Sequence, residues 1–359
     1  MGHSLLIGRV AGVRLFIHWT FLLLLGFIVA SQALHGSGAG AIMATVGFVL
    51  VLFVCVVLHE LGHALMAKHF GYPTRSITLL PIGGVATLEV MPESPRQELL
   101  VALAGPAVNV LIALALFPFI SSTEAFTQPD LGQLTTLHNF LLALFRINVM
   151  LVFFNMLPAF PMDGGRVLRA LLALWLDRLR ATRIAAGLGK LMALGFVFIG
   201  LLSNPFLVLI GLFVFFGAQA ESLSVQYNEL LRDYTVRHAM MTNFLTLAPT
   251  DNVQEAANKL LAGSDQDLLV VEAGKPVGVM PRSLIMDALK EKRLSTAVAD
   301  VMQRDFETVQ VSDSLTEVFT NALRQQNAFF PVLENNQLKG VIDLNNLTEF
   351  ITIRAALSS

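Results

Sequence analysis

The chain of 359 residues is 55% apolar and only 14% charged, against roughly 25% charged in an ordinary soluble protein, which excludes a wholly soluble globule. Its net charge of −2 leaves no basic footprint for nucleic acid, and its single cysteine, Cys55, excludes an intrachain disulfide framework. Charged side chains number 22 in residues 1–230 and 28 in the remaining 129, so the expected organisation is a membrane domain over 1–222, a linker over 223–235 and a soluble region over 236–359.

Residues 5–17 carry Arg9 and Arg14 and are too interrupted to span a bilayer. The apolar run after them has a signal-like outline, but no small-residue cleavage site precedes a polar mature region, so it reads as a retained first transmembrane helix. Six stretches are about long enough to cross roughly 30 Å of hydrocarbon: near 18–35, 41–69, 98–120, 138–157, 184–202 and 205–222. The connections at 36–40, 121–137 and 203–204 contain no Lys or Arg, whereas Arg9, Arg14, Lys68, Arg75, Arg96, Arg166 and Arg178 fall on the other side. The positive-inside rule then predicts a multi-pass cell-membrane protein with both termini cytoplasmic. His18, beside Trp19, reads as an interfacial anchor.

The second span contains His59-Glu60-Leu61-Gly62-His63. Two histidines four apart share one face of a helix, and Glu60 between them can reach a water at a metal held there. A charged side chain at the centre of a membrane helix costs roughly 2.5–3.5 kcal/mol on insertion scales, so ionisable groups here point to function, and metal ligation would offset the cost. Cys55, one turn earlier, reads as a small buried apolar residue.

Next comes Ser76–Glu89, two β-prone runs around Pro81-Ile82-Gly83-Gly84, which predicts a hairpin. Its edge either receives an extended peptide at Gly83 and Gly84 or merely links the second and third spans. Asn109, in Ala104-Gly105-Pro106-Ala107-Val108-Asn109, lies in a small-residue stretch suited to close helix packing. Arg146 lies within the fourth span and is expected to face the bundle interior. The run Asn155-Met156-Leu157-Pro158-Ala159-Phe160-Pro161-Met162-Asp163-Gly164-Gly165 follows that span at the depth of His59 and His63. Asp163 is its only carboxylate, and the two glycines permit close backbone approach. Two imidazoles and a carboxylate leave the fourth position of a zinc ion open, which suits hydrolysis, with Glu60 as general base and later proton donor. Asn155 either holds substrate or caps its helix. A rival reading has the same four side chains bind a transported cation, in a membrane transporter or metal-ion carrier. The i, i+1, i+4 geometry and the lack of a duplicated membrane half weigh against it.

HELGH, the PIGG hairpin, GPAVN and NMLPAFPMDGGR together resemble the site-2 protease family of intramembrane zinc metalloproteases over about residues 5–222. The resemblance implies one zinc held by His59, His63 and Asp163, Glu60 as catalytic residue, and Asn155 with the hairpin as substrate-binding elements. The short outside loops leave no room for an inserted PDZ domain and point to the branch with a C-terminal CBS region, such as the sporulation factor protease.

Residues 236–289 and 298–351 repeat at an offset of 62, aligning Met240 with Met302, Asp251 with Asp313, Val270 with Val332 and Gly278 with Gly340. This resembles a pair of CBS motifs, which in many proteins bind adenine nucleotide. Where such motifs carry Thr or Ser and then Asp, this chain has Pro281 and Leu284, and Asp343 and Asn346. The pair is therefore read as a nucleotide site, a dimerisation platform forming a homodimer, or a docking surface for substrate. The expected fold is a polytopic α-helical membrane protein of about six transmembrane helices with a membrane-associated β-hairpin, followed by an α/β CBS pair. The expected partners are the lipid bilayer and a membrane-associated protein substrate.

Overall fold

A computed structural model describes residues 4–81, 83–88, 94–120, 134–262, 267–323 and 328–358. Ile82 and Glu89 of the expected hairpin, and residues 121–133 of the expected outer loop, lie outside them. The chain divides into two compact units, Met1–Leu223 and Ser224–Ser359.

The first unit opens with strands β1 (Ser4–Val10) and β2 (Val13–His18), which form an antiparallel hairpin. Helix α1 (Trp19–Leu34) begins directly, capped by His18, whose ring nitrogen accepts from the Thr20 amide. Helix α2 (Ala39–His69) carries the two motif histidines. Strands β3 (Thr74–Leu80) and β4 (Gly83–Leu88) follow. Helices α3 (Pro95–Leu116), α4 (Leu137–Asn155), α5 (Asp163–Leu172), α6 (Arg178–Ser203) and α7 (Pro205–Leu231) complete the series. Their starts carry recognisable signals: Pro95 in the first turn of α3, the Thr136 hydroxyl accepting from the Asn139 amide, and the Asp177 carboxylate accepting from the Arg180 amide.

Among the described residues, five helices are long and apolar enough to cross a membrane: Ala39–His69, Pro95–Phe119, Leu137–Asn155, Arg178–Ser203 and Pro205–Leu231. The expected first span is α1, whose 16 residues rise about 24 Å at 1.5 Å each, short of the roughly 30 Å hydrocarbon core. The expected span, near 18–35, coincides with α1 to within one residue at each end; what the sequence reading overestimated is its reach. Large apolar side chains such as Leu23, Phe27, Leu111, Leu114, Phe198 and Phe206 face outward and are exposed, as lipid-facing positions should be.

The hairpin β3–β4 is half of a four-stranded sheet ordered β1-β2-β3-β4, with β2 and β3 parallel. The sequence reading left residues 5–17 without an element. They form β1 and β2, of which β2 pairs with β3, and Val13, Leu15 and Ile77 bury against Leu61 and Ala64 of α2. On a helix these two residues lie roughly opposite His59 and His63, so the sheet fixes one face of α2 and turns the histidines toward α3 and α5.

In the second unit each repeat supplies a three-stranded sheet. The first holds β5 (Thr246–Leu247), β6 (Asp267–Glu272) and β7 (Lys275–Pro281), with helices α8 (Val253–Ala262) and α9 (Arg282–Lys290). A short helix, α10 (Val298–Val301), leads to β8 (Val309–Gln310), α11 (Leu315–Ala322), β9 (Phe329–Glu334), β10 (Gln337–Asp343) and α12 (Leu344–Ser358). Both β7 and β10 span aligned residues, and Asp251 and Asp313 accept from the Ala248 and Gln310 amides alike. The repeats interlock: Met241 of the first bridges to Val341 of the second, and Gln303 of the second to Val279 of the first. Gly278 and Gly340 permit those crossings, since a Cβ on them would lie 2.5 Å from Met302 Sδ and from the Met241 carbonyl oxygen.

Candidate metal centre

The HELGH segment meets α3 closely. A Cβ on Gly62 would lie 2.7 Å from the Ala104 carbonyl oxygen and 2.9 Å from Val108 Cγ2, so only glycine allows the two helices this approach. Gly105 plays the reciprocal part: a Cβ there would sit 2.1 Å from His63 Nε2. The His63 ring therefore occupies a cradle that any larger residue at 105 would fill.

Asp163 is brought to the histidines by the turn between α4 and α5. Phe160 is fully buried against Ala185, Ala186 and Ala218, and Pro161 lies where a Cβ on Gly217 would stand, so this turn is pinned to α6 and α7. Gly164 and Gly165 let α5 start hard against it, since Cβ atoms there would lie 2.3 Å from the Leu157 oxygen and 2.7 Å from the Ala159 carbonyl carbon. Arg169 anchors α5 from its other end. It is fully buried; its Nε donates to Glu98 of α3 at 2.7 Å and its Nη1 to Glu221 of α7 at 2.5 Å. Its guanidinium also stacks 5.1 Å from the centre of the Phe160 ring.

The result is a tight triangle. Asp163 Oδ2 lies 3.2 Å from His59 Nε2 and 3.1 Å from His63 Nε2, and the two nitrogens are 3.1 Å apart. All three residues are buried. Burial disfavours the Asp163 charge, yet contacts with the two imidazoles and the charge of Arg166 hold its carboxyl well below the usual range. The other nitrogen of each imidazole is engaged: His63 Nδ1 is 2.7 Å from the Val101 carbonyl oxygen and His59 Nδ1 is 2.5 Å from Asn109 Oδ1. A carbonyl oxygen only accepts, so His63 carries a proton on Nδ1 and Nε2 is the nitrogen it can offer a metal. Donors bonded at about 2.0–2.1 Å around a tetrahedral zinc stand about 3.3 Å apart, so the triangle fits one ion.

Glu60 is half-buried on α2 and lies within electrostatic reach of His63, His59, Asp163 and Arg166. Asn155 is the last residue of α4 and half-buried. Gly83 and Gly84 pair with Leu80 and Leu79 in the sheet, away from the triangle in sequence. Cys55 is buried outside the triangle, with its sulfur 3.7 Å from Asn148 Nδ2. Arg146 is half-buried in α4. The sequence reading gave Asn109 a packing role, but the structure sets it against His59. Its position four residues after Gly105 was the available signal, since i and i+4 share a helix face. Arg169 and its two glutamates were also missed, because three ionisable groups 71 and 52 residues apart announce no pairing in sequence.

Known proteins are similar to this chain over both of its units. The profile of Peptidase family M50 matches residues 47–129 and 125–202, and that of the CBS domain matches 236–291 and 298–353. A zinc metalloprotease of Methanocaldococcus jannaschii is 34% identical over 354 residues, covering 98% of this chain and 97% of that one. Stage IV sporulation protein FB of Bacillus subtilis is 24% identical over 270 residues, 70% of this chain and 88% of that protein. Among solved structures, the site-2 protease from Methanocaldococcus jannaschii is 38% identical and matches with a TM-score of 0.42, covering 61% of this chain and 95% of that one.

Proposed function

Because the chain belongs to peptidase family M50, the site-2 proteases, and carries CBS domains behind the protease part, we propose that it is an intramembrane zinc endopeptidase. It hydrolyses a peptide bond in or near the membrane segment of a substrate protein. The observation that carries this reading is the 3.1–3.2 Å triangle of His59, His63 and Asp163 with Glu60 on the same helix.

In this reading His59, His63 and Asp163 hold one zinc. Zinc bound there supplies a Lewis acid for the scissile carbonyl and lowers the pKa of water. Glu60 takes the proton of the attacking water and delivers it to the leaving amine. The buried surroundings of the triangle strengthen these charge interactions by keeping bulk water out. A substrate helix must unwind to expose its carbonyl. Strand β4, the last strand of its sheet and packed against α2, offers an edge on which an extended segment adds by strand pairing. Gly83, Gly84 and Asn155 are the residues assigned to substrate.

Both termini are assigned to the cytoplasm, from the charge bias of the connections; the assignment takes α1 as a sixth crossing, a short helix of 16 residues around which the bilayer thins. The CBS pair is assigned to regulation or to positioning of cytosolic substrate, with pairing between two chains through the same unit. A cavity of about 230 Å³ is lined by Val279, Pro281, Gln303, Asp305, Phe306, Glu307 and Phe329. Two carboxylates and no cation line it, which favours an adenine nucleoside over the phosphate-rich end of a nucleotide. Asp343, which stands where the motif carries Thr or Ser, accepts from the amide of Asn346, which stands in the place of the motif's Asp at the start of α12.

The test is zinc content and cleavage of a membrane-tethered reporter in detergent, for wild type and Glu60→Gln. About one zinc per chain in both and cleavage by wild type alone is expected. Equal cleavage by both would remove Glu60 from the chemistry, and metal-dependent ion flux without cleavage by either would favour the carrier.

A further inference from the structure

The two imidazoles are held by different means. His63 is fixed directly, by the Val101 backbone oxygen. His59 rests on a side-chain amide, and an amide can present either its oxygen or its NH2 to a ring nitrogen. Presented as NH2, it would turn the His59 proton onto Nε2, where a metal must bind. What settles the orientation lies two residues further from the site, in α4.

Asn148 and Asn109 are both fully buried. The Asn148 amide faces the Leu144 backbone oxygen, with Nδ2 at 2.8 Å. That oxygen only accepts, so the NH2 of Asn148 must point to it, and its second hydrogen meets Cys55 Sγ. Asn148 Oδ1 is then turned toward Asn109, and only the Asn109 NH2 can satisfy it, at 2.8 Å. Asn109 therefore shows its oxygen to His59 Nδ1 at 2.5 Å, which places a proton on Nδ1 and makes Nε2 the nitrogen available to a metal. Each step follows from donors and acceptors alone, and the chain starts at a group that cannot reverse.

We propose that Asn148 is a positioning residue for the metal: through Asn109 it fixes the orientation and tautomer of His59. The proposal rests on the metal reading of the triangle above. Outer partners of a ligating histidine that set its tautomer are worth about tenfold to a hundredfold in metal affinity. Replacing Asn148 by an apolar residue frees the Asn109 amide to turn over, although Asn148 itself touches no ligand.

The experiment is a double-mutant cycle on zinc affinity, by chelator competition, with wild type, Asn148→Leu, Asn109→Leu and the pair. Asn148→Leu is expected to weaken zinc by about tenfold to a hundredfold, and to cost nothing further once Asn109 is leucine, because it acts only through that residue. Unfolding of the zinc-free proteins separates a packing role, which would lower that temperature and leave the affinity of the folded chain unchanged. If Asn148→Leu does not fold, the 15N shifts of the neutral His59 ring in zinc-free wild type, read at alkaline pH, decide: the Nδ1–H tautomer supports the proposal, and the Nε2–H tautomer overturns it. Wild-type zinc binding with an unchanged Asn148→Leu, or with additive losses in the pair, overturns the proposal and leaves the metal reading standing. Wild type that binds no zinc removes both.

Discussion

Arg169→Met offers a sharp test of how the Asp163 ligand is held. Arg169 is fully buried and bonded to Glu98 and Glu221, whose side chains are 5% and 24% exposed. Removing the guanidinium leaves two carboxylates without their cation, and breaking a buried ion pair from one side costs about 3–5 kcal/mol. Arg178, 3.9 Å from the far oxygen of Glu98, relieves only part of this. At about 2–4 °C per kcal/mol for a domain near this size, the unfolding temperature of the zinc-free protein in detergent should fall by roughly 10 °C. Zinc-free protein is used because a bound ligand stabilises by mass action and would blur the comparison. Adding Glu98→Gln and Glu221→Gln to Arg169→Met should recover most of the loss, since what destabilises is the stranded charge. A fall of less than about 3 °C for Arg169→Met, or a triple variant no more stable than the single, would refute the account of α5 as pinned by this cluster.

Gly105→Ala should keep the zinc-free fold, because alanine favours a helix over glycine by up to about 1 kcal/mol. It should lose at least tenfold in zinc affinity, because its methyl enters the space of His63 Nε2; unchanged zinc binding would show that the ring has room to move. Deleting residues 231–359 should impair cleavage of a natural substrate, and full activity without them would end the assignment of the CBS pair to substrate control. Asp267, in the second unit, has its carboxyl pushed up by burial, opposed by the Arg282 amide and reinforced by Asp343. An acid whose folded value lies above its unfolded one costs stability once pH exceeds the folded value, and the cost vanishes below the unfolded value of about 3.9. Asp267→Asn should therefore stabilise the second unit at neutral pH and lose that advantage as acid is added, measured as unfolding midpoints against pH; a constant difference would show that ionisation is not involved.

The parts of the centre legible in the sequence are those fixed by local geometry. His59, Glu60 and His63 are placed by helical period, and the glycines beside Asp163 announce a close approach whose partners, Leu157 and Ala159, are only a few residues away. The repeat of the second unit was readable because duplicated residues do duplicated work, as with Asp251 and Asp313. What was not legible is whatever depends on which helices meet. Asn148 is one of several polar residues in α4, and its meaning comes from α3 lying beside α4, so that an amide in one spells out the orientation of an amide in the other. The first strands were hidden for a related reason: Ser4–Val10 and Val13–His18 show no long apolar run, and the hairpin they form joins a sheet only where β2 meets β3, more than fifty residues later. The same argument separates the two sets of residues by their expected tolerance. A motif residue fails by losing its own chemistry, whereas Arg169 fails by stranding two carboxylates, a loss recovered when these are also neutralised, and Asn148 fails by releasing Asn109, a loss that adds nothing once Asn109 is itself replaced.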